Sequence, residues 1–144
     1  MNALDRIAVK VIDRAQASTG NATALLHELA NLLEAFVQRH DTGSVDLRSL
    51  PLTPGDYTEL REALGTGAVG ATVDALGPSE VRETRFPGMW WVTHSNDAGE
   101  VVAELIEICP APEVLLAPAE DVAAGLARLK AMLIDKTPDQ EPLN

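Results

Sequence analysis

Apolar residues recur along the chain with two different periods, and the change of period separates its elements. In RIAVKVI (residues 6–12), Ile7, Val9 and Val11 alternate with Arg6, Ala8 and Lys10, the two-residue period of a half-buried strand. From Asn21, taken as an N-cap, ATALLHELANLLEAFVQRH sets Leu25, Leu29, Leu32, Leu33, Phe36 and Val37 at helical spacing. His27, Glu28, Glu34 and Gln38 fall outside that stripe. The pattern stops near Asp41 to Gly43, and SVDLR allows a short strand. LPLTPGDYTELREALG then opens a second helix, with Thr53 as cap, Pro54 in the first helical position and Gly65 at the end.

The texture changes after Gly65. GAVGATVDAL, SEVRETRF, MWWVTHS and EVVAELIEIC follow one another, separated by Gly77-Pro78, Pro87-Gly88 and Asn96-Asp97-Ala98-Gly99, each a turn signal. Four short segments with tight turns predict an antiparallel meander. Pro112 and Pro118 are helix starters, and Val122, Leu126, Leu129 and Leu133 form the stripe of a last helix. The expected fold class is α+β: a mainly antiparallel sheet, built from the C-terminal four-strand meander plus the N-terminal strand, with three helices packed mostly on one face. Residues 1–134 are expected to form a single domain, and 135–144, which carry no apolar pattern, a disordered tail.

Trp90 and Trp91, the chain's two tryptophans, are adjacent in a predicted strand, so they point to opposite faces. A turn at Asp97-Ala98-Gly99 pairs Trp91 with Leu105 and Val92 with Glu104. Trp90, Val92, Val102, Ile106 and Ile108 then share one face, and Met89, Trp91, Thr93, Ala103, Leu105 and Glu107 the other. The first set is the more apolar and is assigned to the helices, which leaves Trp91 on an open face. Arg82 and Arg85 on the preceding strand place charge beside it, the composition of a protein-binding patch. Burial of Trp91 under another segment of the chain is the competing reading.

Composition narrows the function classes. The 144 residues are 46% hydrophobic and 23% charged, those of a globular protein, and no apolar run reaches the roughly 18 residues of a membrane helix. The start has no secretory signal pattern, so a cytoplasmic location is expected. A formal charge of −11, with scattered Lys and Arg, argues against nucleic-acid binding and against insertion into or adsorption on anionic membranes. An acidic surface suits solubility or a basic protein partner. His27, His40 and His94 are isolated, and Glu104 and Glu107 fall on opposite faces of a strand. GTGAVG runs from helix to strand, the reverse of a phosphate-binding loop. No catalytic residue, cofactor or metal site is expected.

The run TGNATALLHELANLLE and the blocks DLRSLPLTPGD, ETRFPGMWWV and GEVVAELIEICPAPE closely resemble the C-terminal domain of the HupH-type hydrogenase expression proteins, also called HyaF or HoxQ. The likeness runs from about Asp5 to Leu133. It implies a non-enzymatic accessory chaperone for nickel-iron hydrogenase maturation. The partner it implies is the iron-sulfur small subunit precursor, a thioredoxin-like maturation factor, or both. Many relatives are about twice as long. Arg82, Arg85, Phe86, Met89, Trp91 and Glu107 are the candidate protein-interaction residues. The alternatives are a small redox or thiol factor using Cys109, and a structural homodimer formed through the open sheet face.

Overall fold

The computed structural model describes residues 16–136. The predicted strand at 6–12 and most of the predicted tail lie outside the described residues. Within them the chain divides, between Pro112 and Glu113, into two compact units.

The first unit is a two-layer α+β structure. Helix α1 spans Asn21–Arg39, strand β1 Gly43–Asp46 and helix α2 Pro54–Leu64; the meander follows as β2 Gly70–Ala75, β3 Gly77–Glu83, β4 Met89–Ser95 and β5 Val101–Ile108. The five strands form one open antiparallel sheet in the order β1-β5-β4-β3-β2. SVDLR thus supplies the fifth strand of the described sheet, pairing Val45 with Ile106 at one edge. The second unit carries helix α3, Ala119–Asp135, capped at its start by Pro118.

Local chemistry accounts for the ends of α2. Thr53 and Asp56 form a reciprocal capping box, Pro54 begins the first turn and Gly65 closes the helix at φ +57°. Helix α1 differs from expectation by one residue. Its cap is Gly20 in a left-handed conformation, while the Asn21 side chain donates to the Pro51 carbonyl oxygen at 2.9 Å.

Asp56 binds the two helix starts together. Its carboxylate, buried at 0% exposure, accepts from the Thr19 N–H at 2.8 Å, Thr19 Oγ1 at 2.7 Å and the Thr53 N–H at 3.0 Å. Thr53 Oγ1 in turn donates to the Ala17 carbonyl oxygen at 2.7 Å. The backbone before α1 passes so close that a Cβ on Gly55 would lie 2.4 Å from the Gln16 carbonyl oxygen, so only glycine fits there. The blocks TGN and LPLTPGD, far apart in sequence, are one joint in the fold.

The core lies between the helices and one sheet face. Ala22, Leu25 and Leu29 of α1 and Leu60 and Leu64 of α2 pack with Val45, Met89, Trp91, Ile106 and Ile108. The expected facing of β4 is therefore corrected: Trp91, at 7% exposure, lies on the helix side and not on an open face. The physical reason is a β-bulge. Ser95 pairs with Val101 as the Asp97-Ala98-Gly99 turn requires, but the next pair is His94 with Ala103, so Val102 is an extra residue. Trp91 consequently faces Ile106, not Leu105, and Met89 faces Ile108. Trp90 is buried as well, at 6% exposure, on the opposite face with Val81 and Val92. Its indole N–H donates to the Cys109 carbonyl oxygen at 3.0 Å.

Candidate functional site

The helical layer ends at β4. No residue of β3 or β2 belongs to the core cluster among the described residues, and the helix-side positions Arg82 and Glu80 of β3 and Gly70 and Thr72 of β2 are exposed. What remains is a cleft of about 370 Å³ between the end of α2 and the sheet, floored by Trp91 and bordered by Arg61, Arg82, Glu80 and Glu104. A second cavity of about 360 Å³ shares Val101 and Glu104 with it and extends towards Arg48 and Tyr57. A third, of about 300 Å³, shares Glu80 and Arg82 and reaches Gly70 and Thr72. The three lie side by side across the sheet, neighbouring ones sharing wall residues, and together are called the groove below.

Helical and strand geometry meet at its centre. Arg61 follows the buried Leu60 on α2, which sends its side chain out over the sheet, and its Cζ lies 4.3 Å from the Trp91 ring centroid. Glu104 is the inward residue of β5 that follows the bulge. Its Oε1 accepts the Trp91 indole N–H at 3.1 Å and Arg61 Nη2 at 3.3 Å. The buried carboxylate is thereby satisfied by one neutral and one charged donor. Arg82 stands directly across from Trp91 on the neighbouring strand, and its Nε donates to Glu80 at 2.9 Å. Arg48 reaches the Val101 carbonyl oxygen next to the bulge. Its own burial, followed by the Glu104 charge, raises the pKa of the Tyr57 phenol.

The six interaction candidates do not form one surface. Arg82 and Trp91 meet in the groove. Arg85 and Phe86 lie in the β3–β4 connection, where the Arg85 N–H donates to the Leu64 carbonyl oxygen and Phe86 is 41% exposed. Met89 is a core residue at 4% exposure. Glu107, half-buried, pairs across from Trp90 on the opposite face. Arg48, Arg61, Glu80 and Glu104 were not singled out by sequence. Glu104 carried a signal, since it interrupts the apolar set of Ile106 and Ile108 that is assigned to the helices, but the bulge hid that Trp91 shares their face.

Cys109, at the end of β5, is half-buried, and burial followed by the Glu107 charge pushes its thiol up to about 11. At neutral pH the reactive thiolate is scarce. Alkylation by iodoacetamide at pH 7.5 should run at least roughly tenfold slower than for an unstructured cysteine peptide; an equal rate would show an activated thiol.

Residues 19–135 match the family described as the HupH hydrogenase expression protein, C-terminal conserved region. The chain belongs to this family. It is 33% identical over 113 residues to the hydrogenase expression/formation protein HupH of Rhodobacter capsulatus, a match covering 78% of this chain and 41% of that protein. To the hydrogenase-1 operon protein HyaF of Escherichia coli K12 it is 31% identical over 110 residues, covering 76% and 38% respectively. The chain thus spans about two fifths of the length of these curated relatives. Among solved structures it resembles the hydrogenase expression protein HupH from Thiobacillus denitrificans, with 42% identity and a TM-score of 0.79 over 83% of this chain and 99% of that one. Among the described residues no helix is long and apolar enough to cross a membrane.

Proposed function

We propose that this chain is an accessory protein of hydrogenase maturation that holds an immature hydrogenase subunit, the iron-sulfur small subunit in the first place, or another maturation factor. The observation that carries the reading is that a family of hydrogenase expression proteins matches nearly all described residues, and the groove crossing the sheet lies inside that match. An aromatic floor, arginines and carboxylates on a rigid sheet suit recognition of a protein segment. The thiol-factor alternative gains no support from Cys109, whose burial disfavours the thiolate.

The full chain, tagged and expressed beside a hydrogenase operon, should co-purify with a hydrogenase subunit or maturation factor identified by mass spectrometry. Arg82→Glu, an exposed change, should lose most of that partner. Recovery of neither class of protein, together with normal hydrogenase activity in cells lacking the chain, would overturn the reading.

A further inference from the structure

The groove carries arginines whose hydrogen-bonding capacity is unspent. Arg82 uses Nε on Glu80, and its Nη1 and Nη2 atoms make no hydrogen bond among the described residues. Arg61 uses Nη2 on Glu104 while its guanidinium rests on the Trp91 face, leaving Nε and Nη1 without a hydrogen bond among the described residues. Both side chains remain more than half exposed, at 58% and 59%. Arg48 adds a third guanidinium at the far end.

Charge gives the direction. The chain as a whole carries −11, yet this strip gathers three arginines against two glutamates. One of those glutamates is committed, because Glu104 is only 11% exposed at its side chain and holds both Trp91 and Arg61. The other, Glu80, is 57% exposed and bound to Arg82 in a surface pair of the kind that contributes little and exchanges cheaply. The Nη1–Nη2 edge of Arg82 is matched by a carboxylate, which it can grip through two parallel bonds, while Arg61, with Nη2 on Glu104, offers single charge-assisted bonds from Nε or Nη1.

Shape gives the form of the ligand. From β5 to β2 the groove crosses three strand spacings, about 14 Å, the length of about four extended residues. Arg61 lies over the Trp91 ring and Arg82 stands on the next strand directly across from it, so the two guanidinium groups border the same stretch of the cleft. We propose that the groove binds an extended acidic segment of a partner protein, with carboxylate side chains on Arg61 and Arg82. This rests on the reading of the groove as the holding surface and names the chemistry of what is held.

The test uses the full chain and three synthetic octapeptides of matched length: one with alternating Glu and Ala, its Gln counterpart, and its Lys counterpart. Binding is followed by the anisotropy of a dye on the peptide, at low salt and at 0.5 M NaCl. The Glu peptide should bind at least roughly tenfold more tightly than the Gln peptide, weaken with salt, and lose roughly tenfold with Arg82→Gln, the loss of one charge-assisted pair. Free glutamate at the same carboxylate concentration should compete poorly. Equal affinity for Glu and Gln peptides, preference for Lys, unchanged binding by Arg82→Gln, competition by free glutamate, or closure of the groove by self-association in sedimentation would each overturn the proposal. Peptide selectivity together with normal hydrogenase maturation in Arg82→Gln cells would leave the groove standing and remove the proposed function instead.

Discussion

Trp91→Ala lowers the stability of the protein by about 3–5 kcal/mol, the range for deleting a large aromatic side chain from a packed core. The indole is 7% exposed and sits in one cluster with Met89, Ile106, Ile108 and the inward leucines of α1 and α2. Its removal opens a cavity beneath the helices, takes away the ring under Arg61, and leaves Glu104 with one donor fewer in a buried setting. Urea unfolding followed by far-UV circular dichroism measures the loss. Trp91→Phe separates the contributions, because it keeps an aromatic face for Arg61 and most of the core volume but cannot donate to Glu104. It should cost less than half as much. A stability change under about 0.5 kcal/mol for Trp91→Ala, the scale of a surface substitution, would mean that the ring is not packed as described.

The second large effect belongs to Asp56, and it depends on pH. The Thr19 N–H foremost, then the Thr53 N–H, hold its carboxyl well below the ordinary value of 3.8, against the opposing effect of burial. A depressed folded-state pKa contributes stability that is fully present above the unfolded value and is lost as pH falls through it towards the folded value. Asp56→Asn keeps the shape but points an amide at N–H donors and removes the charge they solvate. At pH 7 it should lower the melting temperature by an amount on the order of 10 °C, because the starts of both helices hang on this group. The difference between wild type and variant should stay constant from pH 7 to about 5 and shrink below pH 4, as the wild-type carboxyl loses its advantage. A difference that does not change between pH 7 and pH 3 would show that the carboxylate charge is not what secures the joint.

The two residues illustrate unequal legibility. Both ends of α2 could be read locally: Thr53 as cap, Pro54 in the first turn and Gly65 as terminator all follow from hydrogen-bonding and backbone rules that act over three or four residues. That Asp56 also anchors Thr19, 37 positions earlier, has no local signature. Likewise the meander was readable from its turns, and the Asn96–Gly99 loop forms where its residues place it, with Asn96 Oδ1 accepting from the Ala98 and Glu100 N–H groups at 3.0 Å. The single residue added at Val102 was not readable, and through it β5 slides by one against β4.

By itself the sequence determined the helices and strands of the described residues, the α+β class and the family, since hydrophobic period, capping and turn chemistry are short-range and the blocks TGN, DLRSLPLTPGD and ETRFPGMWWV are specific. Only the tertiary structure decided which tryptophan faces the helices, and which charged residues share a groove. Side-chain direction in a strand reverses with every residue, so one bulge between two correctly placed strands decides which residues of β5 share a face with Trp91. Arg48, Arg61 and Arg82, scattered through the first 82 residues, become neighbours of one groove only when α2 crosses the sheet at Trp91.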